Sequence, residues 1–530
     1  MLTCPAPGEE EELLCMFNSS DAHAAAPIPS QTTPRAVWLV AAATFVLVYA
    51  FAARYGYFRD ELYYLACGQH PAWGYVDEPP LIAWTAWLLE HTIGTSLFAL
   101  RLLSALCAPL SVWLTARLAR ELGGSARAEL VAAVLMAVMP VALLTFHLFT
   151  MNAFDFPLWT ALALLLVRIE NSGESRLWLL FGLLAGVTVL NKYGVIFFLA
   201  ALLAGTLCTA WRRLLRCRWF WAGTLIAVLI ALPNFLWQQQ RHFPFLQLMA
   251  NVRHSGRDVS LPPLGFFFQQ MQMVNPAAML AVLAGLVWLL SRRRYRAFGI
   301  AFLVFYAALM LLRAKSYYLS PIYPVLFAAG AVALTEWSSA RPRLLAPAIA
   351  TLALLITLVG LPLVVPVLTV HQFQQYTRLT GIKLPEFEHH RPSPLPQIYA
   401  DMFGWPEMVE TVARFYNSLP PEQRQQTAIY GDNYGVAAAI DFFGPRYGLP
   451  PAISGHQSYF LWGAHGFRRG DVINVGSHDD LTLRRECDAV TVIGRADHPL
   501  SRGDEHFDIY FCQGLRFDAT ENWDHAKRWD

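Results

Sequence analysis

Apolar residues dominate the chain from residue 36 to residue 370, in long runs broken by short polar stretches. The runs fall at 36–53, 97–117, 128–147, 154–169, 177–191, 194–211, 219–237, 275–291, 297–312, 317–335 and 344–370. A helix of about 20 apolar residues crosses the hydrocarbon core of a bilayer, so these runs predict about eleven transmembrane helices. Beyond residue 370 the pattern changes. "LPEFEHHRPSPLPQ" (384–397) is a Pro-rich linker. Short alternating runs follow in "TAIYGDNYG", "DVINVG" and "AVTVIG", with the helix-like "AAAIDFFGPRYG" between them. Period-two alternation marks half-buried strands. The expected fold is a polytopic α-helical membrane protein with a small C-terminal α/β domain. Three segments follow: a leader (1–35), a transmembrane domain (36–370) and an extracytoplasmic domain (371–530). The leader is polar, carries an acidic run at Glu9–Glu12 and has no basic stretch followed by a short apolar core. It reads as a disordered cytoplasmic segment rather than a cleavable signal.

Composition agrees with this class. The 530 residues are 55% hydrophobic and 15% charged, where a soluble domain carries roughly a quarter charged residues. The net charge of +2 hides an asymmetry, because 21 Asp/Glu and 15 Lys/Arg lie beyond residue 370. The first part of the chain is therefore basic, and its arginines cluster in alternate loops. These are Arg117, Arg120 and Arg127; Arg168 and Arg176; Arg212, Arg213, Arg216 and Arg218; Arg292, Arg293, Arg294 and Arg296; and Arg341 and Arg343. The positive-inside rule makes these the cytoplasmic loops. The stretch after the first span, the other loops and residues 371–530 then face outward, and nothing in the charge pattern suggests a nucleic-acid partner. Cys487 and Cys512 fall in the outward domain, where a disulfide is expected over two free core thiols.

Candidate chemistry gathers on the outward side. "YFRDELYYLACGQHPAWGYVDEPPLIAW" (57–84) holds two acidic doublets, Asp60-Glu61 and Asp77-Glu78. Each has a plain structural alternative, with Asp60 and Asp77 as N-caps of the helices that follow. A cap needs one acid, however, and each doublet has two. "FTMNAFDFPLW" adds Asn152 and Asp155, and "VLNKYGV" adds Lys192 and Tyr193, all drawn toward membrane depth by the shortness of their runs. Charges at that depth line a wet cavity or pair with one another, so an Asp155–Lys192 structural ion pair is the alternative to a functional role. "RAKSYYLSPIYP" places Arg313, Lys315, Tyr317 and Tyr318 at an outward helix end, either as an interfacial belt or as ligands of a lipid phosphate. Arg59 is a further cation beside Asp60, and the loop 234–248 supplies Arg241 and His242. Among sequence motifs there is no phosphate-binding glycine loop, no dinucleotide fingerprint and no zinc-ligand spacing.

The ordered set "FRDELYY", "GYVDEPPLIAW", "TMNAFDFPLW", "LNKYG", "PNFLWQQQRHFP", "AKSYYLSPIYPVLFAAGA" and "YGDNYGVAAAIDFFGPRYGLPPAISGHQSYFLWG" resembles the bacterial GT-C glycosyltransferases of family 39, of the protein-mannosyltransferase and aminoarabinose-transferase type. The resemblance implies a polyprenyl-phosphate-linked sugar donor, a hydroxyl acceptor on a glycan, lipid or protein, and catalysis on the extracytoplasmic face of the bacterial inner membrane. It implies that Asp60 is essential and that Glu61, Asp77, Asn152 and Asp155 lie near the catalytic cavity. Relatives carry an acid-Lys-Pro element where this chain reads Asp77-Glu78-Pro79. That departure shifts donor-phosphate binding to Arg59, Lys192, Arg313, Lys315, Tyr317 and Tyr318, and leaves Glu78, Asn152, Tyr193, Arg241 and His242 as cavity-lining residues. Some relatives bind a divalent metal near this element, for which Asp60 and Asp77 are the candidate ligands. Independently of the resemblance, a carboxylate whose pKa is raised by burial or by a neighbouring acid suits deprotonation of an acceptor hydroxyl, and Asp60 beside Glu61 is the expected pair. Direct displacement by one base inverts the anomeric centre, the outcome the resemblance implies; a pair of carboxylates at retaining spacing is the alternative. The competing class is a transporter or flippase of lipid-linked sugars, which ordinarily shows inverted repeats; none is visible here.

Overall fold

The computed structural model describes residues 33–337, 344–476 and 480–530. The leader up to residue 32, and with it Glu9–Glu12, lies outside these residues, as do Arg341 and Arg343. Helices occupy all eleven apolar runs. Five are long and apolar enough to cross a bilayer by themselves: Leu97–Glu121, Met151–Ser172, Arg218–Gln240, Ser316–Trp337 and Leu345–Val364. Three more form bent pairs, Ala126–Ala137 with Pro140–Phe146, Gly194–Leu207 with Ala210–Arg216, and Pro263–Val274 with Pro276–Ser291. The apolar helices Arg35–Tyr49, Leu177–Asn191 and Arg296–Leu311 are shorter. Prolines at 140, 263 and 276 start the second or both members of two of the broken pairs, where the missing N–H costs nothing.

The chain divides into two compact units. Among the described residues, the first comprises 33–52, 101–233, 260–337 and 344–367; the second comprises 53–100, 234–259, 368–476 and 480–530. The compositional boundary at 370/371 does not coincide with this division, because the segments 53–100 and 234–259 fold with the C-terminal part of the chain.

In the first unit the basic loops meet at one end of the helices. Arg168 pairs with Glu121 at 3.0 Å and Arg213 with Glu170 at 2.6 Å. Arg294 donates to the Glu170 carbonyl at 3.3 Å, and Tyr295 to Asn171 at 3.0 Å. Arg120 pairs with the buried Glu129. Four loops assigned to one side by charge are thus joined by ion pairs and hydrogen bonds. Asp155 lies fifteen residues before Glu170 in the Met151–Ser172 helix, roughly 22 Å away at 1.5 Å per residue, at the opposite end.

The second unit contains a four-stranded sheet in the order β1–β2–β4–β3, with β1 Thr427–Gly431, β2 Asp471–Val475, β3 Cys487–Ala496 and β4 Phe507–Leu515. β1 and β2 are parallel; β4 runs antiparallel to both β2 and β3. On one face Ile429, Ile473, Val475, Ile509 and Phe511 are buried beneath the helices Trp405–Ser418 and Tyr434–Phe443, with Phe415 packed on Phe511. Cys487 and Cys512 form a disulfide that ties the start of β3 to β4.

Candidate functional site

The Arg59–Gln69 helix begins after Phe58, whose backbone N–H donates to the Glu61 carboxylate at 2.9 Å. Glu61 is fully buried; it reaches back to satisfy an amide that the helix itself leaves unpaired. The capping acid is therefore Glu61, not Asp60. Freed from that task, Asp60 stays about one-third exposed and lies 3.6 Å from the Arg59 guanidinium. Its Oδ1 accepts the Tyr434 hydroxyl at 2.7 Å. Tyr434 opens the Tyr434–Phe443 helix, which Asn433 caps by accepting from the amides of Gly435 and Val436 at 2.9 and 3.0 Å. The two helices approach so closely at Gly435 that a Cβ there would stand 2.5 Å from Arg59 Cγ. The guanidinium lies over the Tyr434 ring, 5.2 Å from its centre.

Asp77 is not a cap either, since the Leu81–Thr92 helix starts from Pro80 without a side-chain cap. Its Oδ1 accepts the Tyr63 hydroxyl at 2.8 Å. Tyr63 in turn accepts the Ser458 amide at 3.2 Å, and its ring packs on that of Tyr434 with centroids 4.7 Å apart. Two packed tyrosines thus present one hydroxyl to each acid, Tyr434 to Asp60 and Tyr63 to Asp77. The loop that carries Asp77 is held from two remote segments. Asn234 donates to the Trp73 carbonyl at 2.8 Å, Gln238 to the Tyr75 carbonyl at 3.1 Å, and the Val76 amide to Ser458 Oγ at 3.0 Å. His456 accepts the Tyr434 amide through Nδ1 at 3.0 Å, and burial lowers its pKa. The neutral ring then has its proton on Nε2, facing Asp530 at 3.3 Å.

Burial pushes the Asp77 carboxyl up to about 7; the Tyr63 hydrogen bond opposes the shift, and the Asp60 charge adds to it. Glu78 is buried and one of its carboxyl oxygens, Oε1, has no hydrogen-bond partner. Burial first, then the Asp77 and Asp60 charges, hold Glu78 well above the ordinary carboxylate range. The acid made more basic by its surroundings is therefore Asp77, with Glu78 as its like-charged neighbour.

In the first unit a second constellation forms where the Met151–Ser172 and Leu177–Asn191 helices meet. Asp155 is buried and accepts the Asn191 amide at 2.9 Å. Lys192, on the extended residue that ends the Leu177–Asn191 helix, donates to Asn152. Its ammonium lies 5.3 and 4.7 Å from the ring centres of Tyr317 and Tyr318. Asp155 and Lys192 are thus held through neutral amides. Tyr193 adjoins Lys192 and is half-buried; Lys315 directly precedes the turn Ser316–Ile322. Arg313 is exposed, with left-handed backbone at φ 52°. In the second unit Arg241 and His242 are both exposed, Arg241 lying over the Trp237 ring at 4.4 Å.

The candidate metal ligands were tested on the same geometry. The Oδ1 atoms of Asp60 and Asp77 are taken by tyrosine hydroxyls, a guanidinium stands beside Asp60, and the described residues contain no group of three or more His, Cys, Asp or Glu able to hold a metal ion. This donor set does not fit a metal centre.

Comparison with known proteins bears on the whole arrangement. Residues 77–237 match the family described as dolichyl-phosphate-mannose-protein mannosyltransferase. Over 289 residues the chain is 25% identical to the undecaprenyl phosphate-alpha-4-amino-4-deoxy-L-arabinose arabinosyl transferase 1 of Pseudomonas fluorescens, an alignment covering 51% of this chain and 52% of that one. The chain thus spans about half the length of the curated relative it matches. The crystal structure of ArnT from Cupriavidus metallidurans bound to undecaprenyl phosphate superposes with a TM-score of 0.57 at 15% identity, covering 90% of this chain and 97% of that one. The chain has the GT-C fold. The apo form of the same ArnT gives 0.56 with the same coverage. The GT-C resemblance carried by the sequence motifs therefore holds for the fold along nearly the full chain, with a small sheet beside the helical membrane part as expected. The GT-C motifs that contain Asp60, Asp77, Tyr434 and Ser458 are those that the second unit brings together. Reasoning from the sequence did not single out Tyr63, Tyr434, His456 or Ser458. The last three lie inside the stretch 430–463 quoted for the resemblance, which was the available signal.

Proposed function

We propose that this protein is an integral membrane glycosyltransferase that moves a sugar from a polyprenyl-phosphate donor to an acceptor hydroxyl, on the extracytoplasmic side of a bacterial inner membrane. The observation that carries the reading is the paired tyrosine–aspartate arrangement of the second unit. It sets two carboxyl groups, differently tuned, at the partly exposed ends of buried tyrosines. In the reaction the acceptor oxygen attacks the anomeric carbon, the bond from that carbon to the phosphate oxygen breaks, the acceptor proton passes to Asp60, and the lipid phosphate departs with the bond's electrons. One displacement inverts the anomeric centre. Tyr434 and Arg59 hold the Asp60 carboxylate in place, and Asp77, when ionised, supplies negative potential that favours positive charge developing on the sugar. Lys192, with Asn152, Tyr317 and Tyr318 about it, has the chemistry to neutralise a lipid phosphate.

Asp60→Asn tests the assignment. In a folded preparation supplied with a polyprenyl-phosphate sugar, transfer should fall by at least about a hundredfold, the range of a lost general base; undiminished transfer refutes it. A second assignment, favoured by the raised pKa of Asp77, makes that residue the base, and Asp77→Asn in the same assay separates the two. Donor translocation in liposomes without product would instead support the transporter reading.

A further inference from the structure

The sheet of the second unit has a face that the two helices do not cover. On it Tyr430 pairs with Asn474 and Val472 with Cys512 across neighbouring strands. Over this face lies a cavity of about 570 Å³, within the size range of small-molecule sites. Asn474 lines it from β2, is 7% exposed, and has an Oδ1 without a hydrogen-bond partner. An orphaned buried acceptor carries an uncompensated desolvation cost, and an apolar residue would serve a strand interior better. The atom is positioned for a donor that arrives with a ligand.

The walls narrow the class of ligand. Trp523 lines the cavity and is fixed by its N–H on the Phe460 carbonyl at 2.8 Å and by parallel stacking on the Phe460 ring. Rigid aromatic faces beside a polar acceptor suit a sugar ring, whose C–H face is apolar and whose edge carries hydroxyl donors. The lining also holds Arg485, Arg516 and Arg528 against one acid, Glu486. Arg516 and Arg528 are engaged by Asp488 and Asp432 at 3.0 and 2.8 Å, whereas Arg485 is exposed. With Asp488 and Asp432 counted, the three arginines are balanced by three acids, so the preference for an anionic group is carried by the exposed Arg485 guanidinium.

We propose that this cavity binds an acidic saccharide, with a hydroxyl donated to Asn474 Oδ1, the ring against Trp523 and the anionic group toward Arg485. The site does not overlap the Asp60–Asp77 residues. It rests on the transferase reading only for its purpose, which would be to hold the acceptor glycan. The test is calorimetric titration of the full chain in detergent with a disaccharide monophosphate and with its neutral parent. The phosphorylated sugar should bind more tightly. Asn474→Leu should weaken both by about tenfold or more, the loss of one buried hydrogen bond. Arg485→Glu, a surface change that leaves the fold intact, should weaken only the phosphorylated one. Absence of binding by either sugar overturns the proposal, as does binding that neither variant alters. Sensitivity to Arg485→Glu alone means anion capture at the surface and overturns the saccharide assignment; sensitivity to Asn474→Leu alone overturns the acidic part. The titration repeated in Asp60→Asn distinguishes the two readings: binding there is expected to persist, whatever becomes of transfer.

Discussion

Asp77 is the residue at which environment and chemistry meet most directly. A carboxyl raised to about 7 is protonated below neutrality and ionised above it. If its negative charge takes part in transfer, the rate rises as pH rises through about 7, and Asp77→Asn removes that limb of the pH profile while lowering the rate above it. The stability consequence has the opposite sign. Between the ordinary carboxylate range and about 7 the folded protein holds a proton that the unfolded chain releases, so this group costs stability increasingly as pH rises. The thermal midpoint of Asp77→Asn should exceed that of the parent at about pH 8, and the gap should narrow near pH 5. At this scale the sequence was half legible. The doublets announced that one acid in each had more to do than cap a helix. Which one did the capping depended on Glu61 reaching the Phe58 amide, a backbone geometry that residue types do not specify. The raised pKa of Asp77 comes first from burial, and burial depth is set by packing rather than by which acid has an acidic neighbour in sequence.

Among elements, the contact between the Arg59–Gln69 and Tyr434–Phe443 helices governs the site. Gly435 permits it, since any Cβ there would meet the Arg59 side chain. Gly435→Ala should displace Arg59 from Tyr434 and slow transfer by about tenfold, comparable to one lost charge-assisted hydrogen bond, with little change in helix content by circular dichroism. The disulfide acts on the sheet instead. It joins residues separated by 25 positions, a loop whose closure stabilises by about 3 kcal/mol in the chain-entropy account. Replacing Cys487 and Cys512 by Ser should lower the unfolding temperature without shifting the pH profile. Three strands and the helix between them were legible from period-two alternation and its change to a helical pattern. β4 escaped because its Phe507–Leu515 run follows a Pro/Gly-rich stretch and carries Gln513 and Gly514 near its end, which blunts the alternation.

At the scale of the molecule, the alternation of basic loops was the most informative pattern in the sequence, because it reflects membrane insertion rather than packing. The ion pairs and hydrogen bonds that join four of those loops in the first unit agree with it. Orientation is checked directly with single-cysteine variants. Gln69→Cys, at an exposed helix end, should react with an impermeant maleimide added outside intact cells lacking an outer membrane barrier, and Arg293→Cys only after permeabilisation. The reverse result would turn the chain over. What sequence could not reveal was the composition of the second unit. Hydropathy treats 53–100 and 234–259 as loops between spans, whereas their hydrogen bonds run to residues such as Ser458, 382 positions from Val76. Contacts of that separation leave no local period to read.

Those long-range ties give the protein an order of events during synthesis. Asp60 and Asp77 leave the ribosome early, yet Tyr434 and Ser458, which hold them, come more than 350 residues later. Until then Asp60 and Asp77 have their local partners, Arg59 and Tyr63, without the contacts that Tyr434 and Ser458 add. On the proposed transferase reading, a polypeptide interrupted at about residue 385 would be catalytically silent even with its helices in the bilayer, because Tyr434 and Ser458 would be missing from the site.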